Sequence, residues 1–449
     1  MTRGGWGLAA LAVALPVVTV LWLPHLPALG RARPVFSAGD TFPASALRFR
    51  RQSVPMANEQ QQLPLVTNVQ VVDLDGDGTT EILSCDALGH RLIRFDRRPD
   101  GGWRETTLVD SVSYPAHATV VDVDADGDKD LVVAVLGDIL PSDAVVGQVV
   151  LFEKRDDGYR RHLILDDVRR VADVQPGDFD GDGDVDLAVA AFGYSRGEVL
   201  WLENRGDFSF ADHVLLSGPG SIHVPVADYD GDGDLDIATI MSQDDEELWG
   251  FENQGSGRFR RTMLWRTPNY DLGSAGLVAS DLDQDGDVDL ILPVGDNLED
   301  YDAFPQPYHG CLWFENQGGW TFAERRIATL GGTYAAAVDD LDGDGDRDVV
   351  LASMTNDWTD PANASLVWLE NDGKQSFRTW QIDTDPIHLV TVATGDVDGD
   401  GRPDIVAGSL NLRRPYQRVA GTTAWLNRGP DKGPGRSRAA AAPAAGENP

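Results

Sequence analysis

The sequence predicts an all-β fold, a seven-bladed β-propeller of four-stranded blades with a Ca2+-binding hairpin loop in each blade. Three observations carry this expectation. An acidic nonapeptide, Asp-x-Asp-x-Asp-Gly-x-x-Asp, with Glu closing the first copy, returns seven times at intervals of 49 to 59 residues. Short β-branched runs flank the copies, such as Val120-Val121 before one and Leu131-Val132-Val133-Ala134-Val135 after it, and such runs read as strands. A Trp-Leu-Glu-Asn signature or a close variant then marks a third strand. A repeat of this period is one supersecondary unit stacked on its neighbours, and four strands per unit around a channel make a propeller blade.

Taken in chain order, residues 1–30 read as a signal peptide or an N-terminal membrane anchor. Arg3 precedes an apolar stretch from Leu8 to Leu23 broken by Pro16, and Ala28-Leu29-Gly30 is a small-residue cleavage site. Either reading leaves the remainder exported: secreted, periplasmic or at the cell surface. Pro24, Pro27, Pro34 and Pro43 mark a linker ending at residue 45. The repeats fill 46–429. From 430 to 449 Gly, Pro, Ala and Arg dominate without apolar periodicity, the composition of a disordered tail.

In the second unit, strands are expected over 117–121, 130–136, 149–153 and 159–165. Third strands carry Leu200-Trp201-Leu202-Glu203-Asn204, Trp313-Phe314-Glu315-Asn316 and Trp368-Leu369-Glu370-Asn371. An aromatic such as Phe259 or Phe377 opens the fourth, and this stripe reads as packing between units. The seventh unit runs through Trp425-Leu426-Asn427 and lacks a fourth strand. Residues 47–54 resemble the fourth strand at 258–264, so 46–54 are expected to complete the last blade and lock the ring.

The repeated loop has the donor set of a hard cation. Ca2+ takes 6–8 oxygen ligands in a flexible cage, and Gly at the sixth position allows the sharp turn. The candidate ligands are Asp73, Asp75, Asp77, Thr79 and Glu81 in loop one, and Asp122, Asp124, Asp126, Asp128 and Asp130 in loop two. Loop three offers Asp178, Asp180, Asp182, Asp184 and Asp186; loop four offers Asp228, Asp230, Asp232, Asp234 and Asp236. Loop five has Asp281, Asp283, Asp285, Asp287 and Asp289, and loop six Asp340, Asp342, Asp344, Asp346 and Asp348. Loop seven has Asp396, Asp398, Asp400, Arg402 and Asp404. Position seven is Thr79 or Arg402 in the outer copies, which fits a backbone carbonyl as donor. Solvated Asp-Gly turns without an ion are the plain alternative, but motif accidents do not recur seven times in one frame. An EF-hand would need Glu at position twelve and flanking helices. Up to seven structural Ca2+ ions are therefore expected.

These loops hold nearly half of the 73 acidic residues and account for much of the net charge of −36. Such a surface excludes nucleic acid as a partner, since that needs a basic footprint. The two cysteines, Cys85 and Cys311, fall in units too far apart in a ring to pair.

The Asp-rich hairpin together with the Trp-Leu-Glu-Asn strand resembles the FG-GAP/VCBS repeat of integrin α-chain propellers and bacterial surface proteins. The resemblance covers about 46–429 and implies a seven-bladed propeller with Ca2+ between the first and second strands of each blade. The loop stands in all seven units and the Phe-Gly and Gly-Ala-Pro signatures are weak, which places the chain nearer the bacterial VCBS branch. A fold does not fix a function.

Strand direction puts the Ca2+ loops on one face, the lower, and the loops between second and third strands on the other. Long upper loops with aromatics on a rigid scaffold are where binding concentrates, and Tyr301, Tyr308 and Trp358 lie there. Five residues before each Ca2+ loop stand Asn68, His117, Asp173, His223, Gly276, Ala335 and Thr391, so much of the upper channel mouth is expected to be polar. Asn68, His117, Asp173 and His223 join the three aromatics as ligand-binding candidates. No Gly-x-Ser-x-Gly, His-Glu-x-x-His or phosphate loop occurs. The reading is a non-enzymatic binding or adhesion module for an extracellular glycan or protein. A lyase-like carbohydrate-active enzyme and a cell-surface spacer stand as alternatives.

Overall fold

A computed structural model of the chain describes residues 41–57, 62–243, 245–269, 271–296, 298 and 304–430. The signal or anchor segment, most of the linker, Tyr301 and the tail beyond Pro430 lie outside the described residues. Among the described residues, antiparallel strands form seven sheets, one per repeat, and no helix is long and apolar enough to cross a membrane.

Blade one is built from Val66–Val72, Glu81–Asp86, Arg91–Arg97 and Trp103–Val109, from the axis outward. Blade two uses Pro115–Val121, Asp130–Val135, Gly147–Arg155 and Gly158–Val168. The other blades repeat this meander. The inner strand of blade four is split, into Ser221–His223 and Val226–Ala227, and that of blade five is reduced to Val278–Ser280 with a lone bridge at Ser274. Pro225 lies in the gap of blade four, and proline has no N–H for the ladder.

Every second strand is buried along its whole length, as in Asp186–Ala191 and Asp348–Ser353. Fourth strands alternate with solvent, as in Phe259–Thr267. A strand covered on both faces reads as a continuous apolar run, and one covered on a single face alternates. The core lies between blades. Seven apolar clusters each combine two neighbouring blades; one joins Val132 and Leu151 of blade two to Val174, Leu187 and Leu200 of blade three. Trp313, Trp368 and Trp425 are fully buried in this material. Gly250 of blade four makes room for Trp320 of blade five: an added Cβ would lie 2.2 Å from the indole ring. Cys85 and Cys311 are free and buried.

Closure comes from the N-terminal side of the repeats. Leu47–Val54 pairs antiparallel with Thr422–Pro430, with Arg51 opposite Trp425, and forms the outer strand of blade seven. Blade seven therefore contains both the first and the last strand of the propeller. Residues 41–45 depart from the linker expectation. The Gln381 N–H donates to Pro43 O at 2.8 Å and the Ser45 N–H to Gln381 O at 2.9 Å, which lays this segment along the outer edge of blade six. The Trp368 indole N–H donates to Ser45 Oγ at 2.8 Å. An outer strand leaves unpaired backbone groups at its edge, and residues 42–45 occupy them.

Candidate functional site

All seven acidic loops connect the first and second strands of their blades, on the lower face. Loop three shows how the sequence shapes them. The N–H groups of Gly181 and Gly183 donate to Asp178 Oδ1 and Oδ2 at 2.8 and 3.0 Å, curling the backbone around the first carboxylate. Gly183 sits at φ +94°, a left-handed conformation that other residues reach only with strain. Asp186, the ninth residue, opens the second strand and is buried. Its Oδ2 accepts from Phe179 N at 3.1 Å and its Oδ1 from Asn204 N at 2.7 Å.

The donor set fits a hard cation. Oxygens of Asp178, Asp180 and Asp186 lie within 4.8 Å of one another, as do those of Asp122, Asp124 and Asp130 and those of Asp228, Asp230 and Asp236. Burial pushes the ninth-position acids up, to about 6 for Asp186, about 7 for Asp236, Asp289 and Asp404, and about 8 for Asp348. Carboxylates placed so close, at such a cost to their charged forms, lack a counter-charge. Asp283 Oδ1 and Asp398 Oδ1 are buried without a hydrogen-bond partner, the condition a bound cation relieves. Thr79 and Arg402 donate their backbone N–H groups to Asp77 and Asp400, leaving their carbonyls for a ligand role.

The terminal Asn of the third strand does more than mark a motif. Asn316 Nδ2 donates to Val288 O in its own blade at 3.0 Å and to Tyr229 O, in the loop of blade four, at 2.8 Å. Asn253 reaches Phe179 O in the same way, and Asn427 reaches Leu341 O. These amides staple loops four, five and seven each to the preceding loop, whereas Asn204 and Asn371 bond only within their own blades. The recurrence of Asn at a fixed offset was the signal for them in the sequence.

On the channel side, the structure brings His117, Asp173 and His223 together from the inner strands of blades two, three and four. Asp173 Oδ1 lies 3.2 Å from His117 Nδ1, and its Oδ2 lies 3.5 Å from His223 Nδ1. Val224 N and Gln175 Nε2 also donate to this carboxylate, at 3.0 and 2.9 Å. Burial alone would raise the Asp173 pKa, but the imidazoles and N–H donors outweigh it and hold the carboxyl well below its ordinary range. His117 is pushed down by burial, against the pull of Asp173. Side-chain exposure is 2% for Asp173 and 30% for His223, so the cluster meets solvent through histidine. Asn68 joins through Gln70, whose Nε2 lies 3.3 Å from Asn68 Oδ1 and 3.4 Å from His117 Nε2. Gln70 and Gln175 went unremarked in the sequence, although residues two apart on a strand share a face.

The expected polar mouth is found on one side only. Leu65, Ala87, Met354, Val390 and Leu410 form a single apolar cluster with Tyr114, Ile139, Leu298 and Tyr334. These residues come from the upper ends of blades one, two, five, six and seven, which meet only around the axis. The upper end of the channel is thus largely apolar, and the polar groups lie on the inner strands of blades one to four. Tyr308 lies apart from this cluster, whereas Trp358 borders it through Met354. The Tyr308 hydroxyl donates to Asp271 Oδ2 at 2.7 Å, and the Trp358 indole N–H donates to Met354 O at 3.3 Å.

The upper face carries the apolar surface that the fold leaves open. Of nine large hydrophobic residues exposed among those described, Leu140, Val145, Val146, Tyr194, Leu63 and Tyr416 lie on upper-face segments. Four of these belong to adjacent loops of blades two and three. Asp143 Oδ1 ties those loops together by accepting from Ser195 N at 2.8 Å and Arg196 N at 3.2 Å.

A family profile described as FG-GAP-like repeat matches residues 67–133, 178–239, 228–292 and 340–407. Among curated proteins none matches. Solved structures with a similar trace include a crystal structure of BBS1N in complex with ARL6DN, soaked with lead. It is 12% identical with a TM-score of 0.49, and the alignment covers 86% of this chain and 98% of that chain. The same complex soaked with mercury is 10% identical with the same score and coverage.

Proposed function

This chain belongs to the FG-GAP-like repeat family, and from that premise we propose an exported, calcium-stabilised binding module. Its partner is an extracellular protein or glycan. Placement in the bacterial VCBS branch belongs to the same proposal and rests on the presence of the acidic loop in all seven units. The observation that carries the binding role is the upper-face patch around Leu140, Val145, Val146 and Tyr194, exposed yet held by Asp143. Exposed apolar side chains gathered on neighbouring, tied loops mark interaction sites, and three of the four being aliphatic favours a protein over a sugar. Ca2+ bound in the loops would supply the positive charge that the buried ninth-position acids lack. The loops lie on the opposite face, so the metal role is structural.

The test is affinity electrophoresis through gels cast with polysaccharides, beside pull-downs from the producing cells, comparing the full chain with its L140D/V145D variant. Retention that disappears in the variant is expected. Retention that survives it would move the site off this face. The contact between His117, Asp173 and His223 favours a second reading, an acid–base pair of a carbohydrate-active enzyme; a cleared track in one gel would establish it.

A further inference from the structure

We infer that the ion place of loop one is held by the chain's own Arg94, so this blade needs no metal. The inference rests on the calcium reading and corrects its count. In loops two to seven the ninth-position acid uses one oxygen to accept a backbone N–H from the end of the third strand; Asp289 Oδ1, for instance, accepts from Asn316 N at 2.7 Å. Blade one departs from this pattern. Its ninth residue is Glu81, and Glu81 Oε1 lies 3.0 Å from Arg94 Nη2 instead. The same nitrogen donates to Asp75 Oδ2, in the third position, at 2.6 Å. Arg94 Nε donates to Asp96 Oδ1 at 2.5 Å, which fixes the guanidinium in place.

The third and ninth positions are the carboxylates that converge with the first in loops two, three and four; in loop one the oxygens within 4.8 Å of one another are those of Asp73, Asp75 and Asp77, and Glu81 is not among them. A Ca2+ ion sits 2.3–2.6 Å from its oxygens, and a guanidinium nitrogen between the same two carboxylates excludes it. Arg94 pairs with Leu83 in the strand register, as Trp201 pairs with Ala188 and Trp313 with Ile291. Blades three and five thus place a neutral indole where blade one places a permanent positive charge. Composition agrees, since loop one holds four acids and has Thr79 where loops two to six have Asp. Among the described residues no guanidinium or ammonium pairs with a motif carboxylate of loops two to six. Loop seven differs from loop one. Arg428 pairs with Asp398 Oδ2 at 2.6 Å and with Asp400 Oδ2 at 2.9 Å, and Arg402 also pairs with Asp400. No guanidinium among the described residues reaches the ninth acid, Asp404, and Asp398 Oδ1 remains without a partner, which leaves that loop able to take an ion.

The experiment is native mass spectrometry of the full chain and its R94L variant, titrated with Ca2+ after chelation. Leucine is the residue of blade two at this register, Leu151. R94Q serves if R94L is recovered unfolded. R94L or R94Q should bind one ion more than the wild type. Equal counts, or seven ions on the wild type, would overturn the inference while calcium binding itself stands. No ions on either protein would be a different failure, that of the calcium reading on which it rests.

Discussion

Replacing Asn316 by alanine measures what one inter-blade staple contributes. The substitution removes the Nδ2 bonds to Tyr229 O and Val288 O and the bond from Gly318 N to Oδ1. Asn371 is its control in blade six. It is equally buried and bonds Arg347 O and Gly373 N at the corresponding positions, but reaches no carbonyl of the preceding blade. The cavity and the local bonds therefore cancel between N316A and N371A, leaving the Tyr229 carbonyl as the difference. A net hydrogen bond contributes about 1 kcal/mol, and stranding a buried partner costs about 1–3 kcal/mol. N316A should thus be less stable than N371A by about 1–3 kcal/mol. Equilibrium urea unfolding at saturating Ca2+ reads this directly, as a difference in midpoint at equal slope. Two variants within about 0.5 kcal/mol of each other would refute the staple, because experimental error and unequal local relaxation cover that range.

Two further outcomes follow from the packing and the acids. G250A should lose about 1–3 kcal/mol, because its new methyl meets the Trp320 ring at 2.2 Å and a packed interface resists such insertion; a loss under about 0.5 kcal/mol would show that the ring moves aside freely. In chelator, acid should stabilise the protein. Asp186, Asp236, Asp289, Asp348 and Asp404 have folded pKa values of about 6 to about 8, above their unfolded value, so the native state holds protons that the unfolded state releases. That stabilisation is complete below the ordinary carboxylate range and is lost as pH rises through 6 to 8. Melting in EGTA should accordingly be higher at pH 5 than at pH 8, with Ca2+ flattening the slope; a flat or opposite profile without metal would contradict the assignment.

The sequence revealed most clearly what repeats. A frame such as Asp178-x-Asp180-x-Asp182-Gly183 carries a turn, a strand start and a donor set together, so seven copies pointed to blade number and loop position at once. The strand at 47–54 was recognisable because its pattern matches 258–264, while 41–45 looked like a linker because Pro43 breaks strand pattern. Its pairing depends on the Gln381 edge, which is distant in sequence. Arg94 was illegible for the same reason. It is an ordinary strand arginine until folding places it 2.6 Å from Asp75. The contact of His117, Asp173 and His223 was half legible, since the shared register placed them on one ring but could not say that they would touch. The apolar cluster at the upper end of the channel could not be read, because it is assembled from one to three residues of each of five blades.

The seam in blade seven also governs how the molecule comes into being. Residues 47–54 are made before any of the seven repeats, yet their partner, Thr422–Pro430, is made after nearly all of them. Throughout synthesis this segment is a strand without a sheet, and pairing so distant in sequence is slow to form. Arg48, Arg50 and Arg51 suit that interval, because charge along an unpaired strand discourages it from joining another chain. The ring is therefore a fold that waits. Blades one to six can assemble in order as they appear, and the last step returns the chain to its own beginning.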